Sequence, residues 1–156
     1  MTLKKIISGG QTGVDRGALD AALSVDFPVG GWCPQHRKAE DGVIPARYPL
    51  LELDGAGYPE RTRKNVIDSD GTLILYFAEL EGGSLMTKRF CHQHEKPCLA
   101  FDLLGTPVED ARETIVAFIE QHHIAVLNVA GPRASKQPTA QAQTRELIRA
   151  VIAADS

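Results

Sequence analysis

The fold is decided by the stretch Ser8-Gly9-Gly10-Gln11-Thr12-Gly13-Val14-Asp15-Arg16-Gly17, which follows the short apolar run Leu3 to Ile7. The apolar run predicts a buried strand, and apolar residues recur at helical spacing from Val14 onward. The three glycines at positions 9, 10 and 13 allow the tight turn that must join these two elements. The predicted local structure is therefore a strand, a glycine turn and a helix.

This first turn is suited to binding an anion. Backbone amides of the turn and the first unpaired N–H groups of the helix would face a phosphate or another oxyanion, favoured by the helix dipole. The turn is not a P-loop, because Asp15-Arg16 stand where a lysine and a Ser or Thr are required, and it does not form a full G-x-G-x-x-G. A tight turn without a ligand remains the alternative.

The rest of the chain alternates strands with helices. Predicted strands lie at 29–32, 72–76, 97–101 and 125–129, and predicted helices at 61–69, 84–94, 106–122 and 139–154, the third of which begins with a capping box at Thr106. A segment rich in Pro and Gly, ending near Tyr58, is predicted to be an irregular site loop. The expected fold is one doubly wound α/β domain over 1–156, with a mostly parallel sheet of about five or more strands and helices on both faces.

Ligands of such folds bind outside the carboxyl ends of the strands. A second glycine turn, Gly82-Gly83-Ser84, lies at this edge and again joins a predicted strand to a predicted helix. Turn amides, hydroxyls and an arginine fork would hold a phosphate, and Asp15 and Asp41 would accept from ring N–H or ribose hydroxyl groups. Capping or loop ordering is the alternative role for each aspartate. The predicted binding residues are Gly9, Gly10, Gln11, Thr12, Gly13, Asp15, Arg16, Arg37, Asp41, Gly82, Gly83, Ser84, Thr87 and Arg133.

Composition excludes several classes of function. A net charge of −3 argues against broad nucleic-acid binding, and no apolar run reaches the length of a membrane span. The start has no export signal and the three cysteines form no disulfide framework, so a cytoplasmic protein is expected. No metal site is predicted, because Cys33-x-x-His36 and Cys91-His92-x-His94 lack zinc-finger spacing.

With these motifs in place, the chain resembles the molybdenum cofactor carrier family. This family lies within a wider Rossmann-like group that includes lysine decarboxylase-like phosphoribohydrolases. The resemblance implies a carrier of a small anionic ligand, a molybdopterin-type cofactor or a nucleotide, and a homo-oligomer, dimer or tetramer. Departures from the family pattern are His36, where glycine is expected, and Ser84, where threonine is more usual. The motifs that carry the resemblance are Ser8 to Asp20, Gly31-Trp32-Cys33-Pro34 with Arg37 and Ala39-Glu40-Asp41-Gly42, Asn65-Val66 with Ser69-Asp70-Gly71-Thr72, Gly82-Gly83-Ser84 with Thr87, and Asn128 to Arg133 with Ser135.

The resemblance also leaves a hydrolytic alternative open. Enzymes of the wider group carry Pro-Gly-Gly-x-Gly-Thr-x-x-Glu, whose glutamate acts at the N-glycosidic bond of a nucleoside monophosphate. The corresponding stretch here, which begins at Gly82, lacks that glutamate. An enzyme would need another carboxylate, with Asp15 and Asp41 as the candidates. The sequence therefore favours a binding protein over an N-glycoside hydrolase.

Overall fold

The structure, a computed structural model, describes residues 2–55 and 57–155. A one-turn 3₁₀ helix, Gln35–Arg37, lies between two of its short strands. In chain order the other elements are β1 (Lys5–Ile7), α1 (Val14–Leu23), β2 (Val29–Gly30), β3 (Trp32–Pro34), β4 (Lys38–Ala39), β5 (Gly42–Val43), β6 (Leu51–Leu53), α2 (Tyr58–Asp68), β7 (Gly71–Tyr76), α3 (Gly82–Gln93), β8 (Cys98–Asp102), α4 (Val108–Gln121), β9 (Val126–Ala130) and α5 (Ala140–Asp155).

The main sheet has five parallel strands in the order β2-β1-β9-β7-β8. Leu73 and Leu75 of β7 pack into the core formed with α1, α4 and α5, and Ile74 between them is equally buried. Burial of successive residues on both faces explains why the strand sequence is continuously apolar instead of alternating. The predicted doubly wound α/β fold is confirmed.

The segment before Tyr58 holds more regular structure than its sequence predicts. β3 pairs with β6 in parallel, and β4 and β5 form an antiparallel hairpin. Ile44, Tyr48 and Leu50 from this segment pack with Leu19 of α1 in a second, smaller core. The prediction of a wholly irregular segment is wrong at these strands, because strands of two or three residues are too short to give a periodic signal.

Two helix starts also differ from the sequence prediction. The capping box at Thr106 is wrong, because the Thr106 hydroxyl donates to the carbonyl of Asp102 at 3.0 Å and Pro107 stands at the N-cap of α4. α2 begins at Tyr58, before the predicted Arg61, and Glu60 caps it by accepting the Gly57 N–H at 3.1 Å. None of the helices in residues 2–55 and 57–155 is long and apolar enough to cross a membrane.

Candidate functional site

A cavity of about 400 Å³ opens at the carboxyl ends of three neighbouring strands, β1, β9 and β7. The loop after β9 forms its middle, and the loops after β1 and β7 form two facing walls, since these strands flank β9. Of the residues predicted from the sequence, it brings together Gln11, Asp15, Gly82, Gly83, Ser84, Thr87 and Arg133.

The floor on the β1 side is a buried ion pair between Asp15 and Arg61. Nη1 of Arg61 lies 3.6 Å from Oδ2 of Asp15, which also accepts the Gln11 N–H at 3.2 Å. The Asp15 side chain is only 5% exposed, and this burial raises its pKa, while the charge of Arg61 opposes the rise. The guanidinium lies so close over Gly9 that a Cβ there would overlap it. The glycine turn therefore makes room for Arg61.

Arg61 is a cavity-lining residue that sequence reasoning missed. Its side chain is 12% exposed, lines the cavity and makes no hydrogen bond to the described residues, and its Nε is buried without a partner. A guanidinium carries five N–H donors, and leaving buried donors unpaired is costly. One signal was available: a cation in the first turns of α2 opposes the helix dipole and needs another reason to be there.

Gln11 supplies a second unpaired donor. Its Oε1 accepts the N–H groups of Thr12 and Glu40, each at 3.0 Å, which turns the amide nitrogen away from both. The residue is 7% exposed and lines the cavity, and Nε2 is buried with no partner among the described residues. The side chain is thus held in one orientation with a free donor.

The loop after β9 adds two exposed cations, Arg133 and Lys136. Neither side chain has an ion pair or hydrogen bond with the described residues. The guanidinium carbons of Arg133 and Arg61 each lie 5.9 Å from the ring centroid of Tyr58, so both cations lie near this ring. Arg61, Arg133 and Lys136 are therefore three cations that line the cavity.

The second glycine turn faces the same cavity at the N-terminus of α3. No side chain caps this helix end, and Gly82, Gly83 and Ser84 line the cavity. Thr87 donates its hydroxyl to the carbonyl of Gly83 at 2.8 Å, so its oxygen is oriented by its own helix. An uncapped helix N-terminus favours an anionic ligand.

Two predicted arginines are used inside the protein instead. Arg16 donates through Nε to the carbonyl of Gly10 at 3.0 Å and through both terminal nitrogens to Asp41, at 2.6 and 2.8 Å. Arg37 donates to four carbonyl groups of the segment that follows it, those of Ile44, Pro45, Tyr48 and Leu50. Neither arginine is among the cavity-lining residues, nor are Gly9, Gly10, Thr12, Gly13 and Asp41.

The β4–β5 hairpin closes over the first turn through two carboxylates. Asp41 pairs with Arg16, whose hydrogen bonds lower the pKa of that carboxyl. Glu40 accepts from the hydroxyls of Thr12 and Ser135 and from the Ser135 N–H, and these bonds lower its pKa. The hairpin thereby ties the first turn to the loop after β9.

His36 also lies outside the cavity lining, on the surface. Its φ of 66° is in the left-handed region, where glycine is favoured. This backbone conformation is a physical reason for the glycine expected there. Among the described residues no group of three or more His, Cys, Asp or Glu side chains is placed to hold a metal ion.

Known proteins give two matches. Residues 6–152 match the family described as the circularly permutated YpsA SLOG family. A crystal structure of a Syntrophus aciditrophicus protein named "Putative molybdenum carrier protein" is 48% identical, with a TM-score of 0.94, over 97% of this chain and 96% of that one. None of the curated proteins matches the chain.

The strand order explains the word "permutated". If β9 and α5 are counted first, the sheet order β2-β1-β9-β7-β8 becomes 3-2-1-4-5, the order of the Rossmann fold. The Leu3 N–H donates to Oδ2 of Asp155 at 2.8 Å, so the segments that flank the matched region on either side are neighbours. In that count the cavity lies where the strand order reverses, between β9 and β7. The chain belongs to the circularly permutated YpsA SLOG family.

Proposed function

We propose that this protein binds and carries a phosphate-bearing small molecule, a cofactor of the molybdopterin type, in the cavity at the carboxyl ends of β1, β9 and β7. One observation carries the proposal: the guanidinium of Arg61 is almost buried, lines the cavity and has no hydrogen-bond partner among the described residues. A phosphate would satisfy its planar fork with paired, charge-assisted hydrogen bonds.

The rest of the cavity supports a phosphate of this kind. The unpaired Nε2 of Gln11, the cations Arg133 and Lys136, and the uncapped N-terminus of α3 all border the same space. Its volume of about 400 Å³ lies in the range of small-molecule sites. The printed name of the Syntrophus protein, a molybdenum carrier, supports a molybdenum-related ligand.

A hydrolase is the second candidate, and a single residue favours it. Asp15 lies in the cavity beside Arg61, and burial raises its pKa, as a general acid or base requires. Asp41, the other candidate from the sequence, lies outside the cavity in its pair with Arg16. Of the two carboxylates that the sequence offers for hydrolysis of a nucleoside monophosphate, Asp15 is the one that lines the cavity. Turnover near 1 per second or faster would favour the enzyme over the carrier.

The proposal is tested by mass spectrometry of small molecules released from the purified native protein. Wild type and Arg63→Met should release the same phosphate-bearing compound, since Arg63 is an exposed arginine on the same helix. Arg61→Met should release less than about a tenth as much, on the scale of a lost charged hydrogen bond. The variant Asp15→Asn/Arg61→Met, which leaves no unpaired buried charge, should release equally little if the loss reflects binding and not unfolding. Equal release from wild type and both Arg61 variants would refute the proposal.

A further inference from the structure

The wall of the cavity on the β7 side has the opposite charge. Glu79 and Glu81, in the loop between β7 and α3, both line the cavity and are exposed. Neither side chain has a hydrogen bond or ion pair with the described residues. Two free carboxylates therefore border the same space as the three cations.

The geometry points to a ring-recognition role for this wall: Glu79, together with Glu81, accepts hydrogen bonds from the ring N–H and amino group of a 2-amino-4-oxopyrimidine. Pterins and guanine share this edge. The inference rests on the proposed function, since it concerns the ring of the same ligand.

The order of the strands in the sheet indicates where the cationic and the acidic side chains lie in the cavity. Arg61 and Gln11 belong to the β1 side, through the ion pair with Asp15 and the turn after β1, whereas Glu79 and Glu81 follow β7. Because β9 separates β1 from β7, the two charges stand on opposite walls. The buried, unpartnered Nε2 of Gln11 is the independent sign that this space takes a ligand.

The loop that carries Glu79 is fixed in place. Ala78 before it has a φ of 70°, a left-handed conformation that costs free energy in a residue with a Cβ. The Asp102 carboxylate holds it by accepting the N–H groups of Ala78 and Leu104, each at 2.9 Å. The Glu79 N–H also donates to the carbonyl of Phe77 at 2.9 Å. A fixed backbone can aim the Glu79 side chain at one position.

The cavity is lined by aromatic side chains on which a flat ring could stack. Tyr58, Tyr76 and Phe77 all line the cavity and are partly buried. A planar heterocycle can stack on such a surface, which a bare oxyanion has no means to use.

The donor pattern of the ring makes the inference selective. A carboxylate only accepts, and its two oxygens match two neighbouring donors, such as the N–H and amino groups of guanine or pterin. Adenine places an acceptor nitrogen beside its amino group, so it offers one donor and one mismatch. We therefore expect guanine to bind more tightly than adenine on an identical phosphate.

Calorimetry of the full chain with GMP, AMP, dihydroneopterin monophosphate and inorganic phosphate tests this. Wild type should bind GMP, the pterin phosphate or both at least about tenfold more tightly than AMP. Glu79→Gln should abolish that preference and raise the affinity for AMP relative to the other two, because an amide offers one acceptor and one donor. Its affinity for inorganic phosphate should equal that of wild type. Glu113→Gln, which removes an equal charge from the exposed face of α4, should behave as wild type.

Each outcome decides the inference. Tight binding of GMP alone identifies a guanine nucleotide as the source of the ring, and tight binding of the pterin phosphate alone identifies a pterin. Equal affinity for GMP and AMP, an unchanged preference in Glu79→Gln, or binding of inorganic phosphate without any ring would overturn it. Such results leave the proposed function intact, since that depends on the release experiment with the Arg61 variants.

Discussion

The two glycine turns look alike in sequence and differ in what surrounds them. In the first turn, a Cβ at Gly13 would overlap the carbonyl oxygen of Pro132, and one at Gly9 would overlap Arg61. In the second, a Cβ at Gly82 or Gly83 meets no described atom within 4 Å. The first pair of glycines permits close packing of protein on protein, and the second pair leaves open space.

The backbone N–H groups of the two turns also differ in what they contact. In the first turn the Gln11 N–H donates to Asp15, the Thr12 N–H to Gln11, and the Val14 N–H to the carbonyl of Pro132 at 3.2 Å. In the second turn the Ser84 N–H donates to the carbonyl of Glu81 at 3.2 Å, and the helix start, which no side chain caps, faces the cavity. A glycine-rich turn therefore indicates a close approach of the backbone, and its surroundings decide whether protein or ligand makes that approach.

The largest effect that would test this contrast is on stability. Gly13→Ala should lower the free energy of unfolding by roughly 3 kcal/mol or more, because its φ of 84° and the backbone of Pro132 both oppose a Cβ. Gly83→Ala should change it by less than about 1 kcal/mol. Urea denaturation measures both, and similar losses in the two variants would show that the turns are equivalent.

Gly9→Ala separates packing from binding within the first turn. Its Cβ would displace the end of a flexible side chain and leave Asp15 without its ion-pair partner, so the fold should lose about 2 kcal/mol, less than in Gly13→Ala, while Arg61 leaves its place over the turn. Affinity for inorganic phosphate, measured by calorimetry, should fall about tenfold. In an Arg61→Met background the same substitution should cause no further loss of affinity, and an additive loss would contradict this coupling.

Asp15 should make the stability of the protein depend on pH. Burial raises its pKa above the ordinary 3.8, so its contribution to stability is fully present below that value and is lost as the pH rises through the folded-state pKa. The stability of Asp15→Asn relative to wild type should therefore increase as the pH rises from about 4. Arg61→Met should extend this rise to higher pH, because it removes the charge that opposes the shift. Thermal unfolding across pH measures the difference, and a flat profile would contradict it.

The smallest expected effect concerns the tie between the hairpin and the first turn. The Asp41 side chain is 47% exposed, so Asp41→Asn should lower stability by less than about 1 kcal/mol, and less at high salt. Because Arg16 lowers the Asp41 pKa, this contribution is present above pH 3.8 and is lost as the pH falls through the folded-state pKa. Amide exchange in the hairpin should quicken in the variant at neutral pH and not at low pH.

Prediction from sequence worked best where structure depends on neighbours along the chain. The main strands β7 and β8 were located because each contains a continuous apolar run, at 73–75 and at 98–101, and the turns followed from glycine. The strands β3 to β6 were missed because their pairing is between short segments with no pattern of their own. The capping box at Thr106 failed because Asp102, at the end of β8, offered its hydroxyl a nearer acceptor.

The sequence by itself determined the alternation of strands and helices, the edge of the sheet at which a ligand would lie, and the two turns that border it. Tertiary structure alone decided that Arg61 lines the cavity and that Arg16 and Arg37 do not. Arg16 meets Asp41 and Arg61 meets Asp15 across segments that are distant in the chain, and those pairings depend on packing between segments. The sequence shows that a residue is an arginine and therefore charged. Whether its side chain meets a carboxylate, a carbonyl group or a cavity depends on which segments the fold brings next to it.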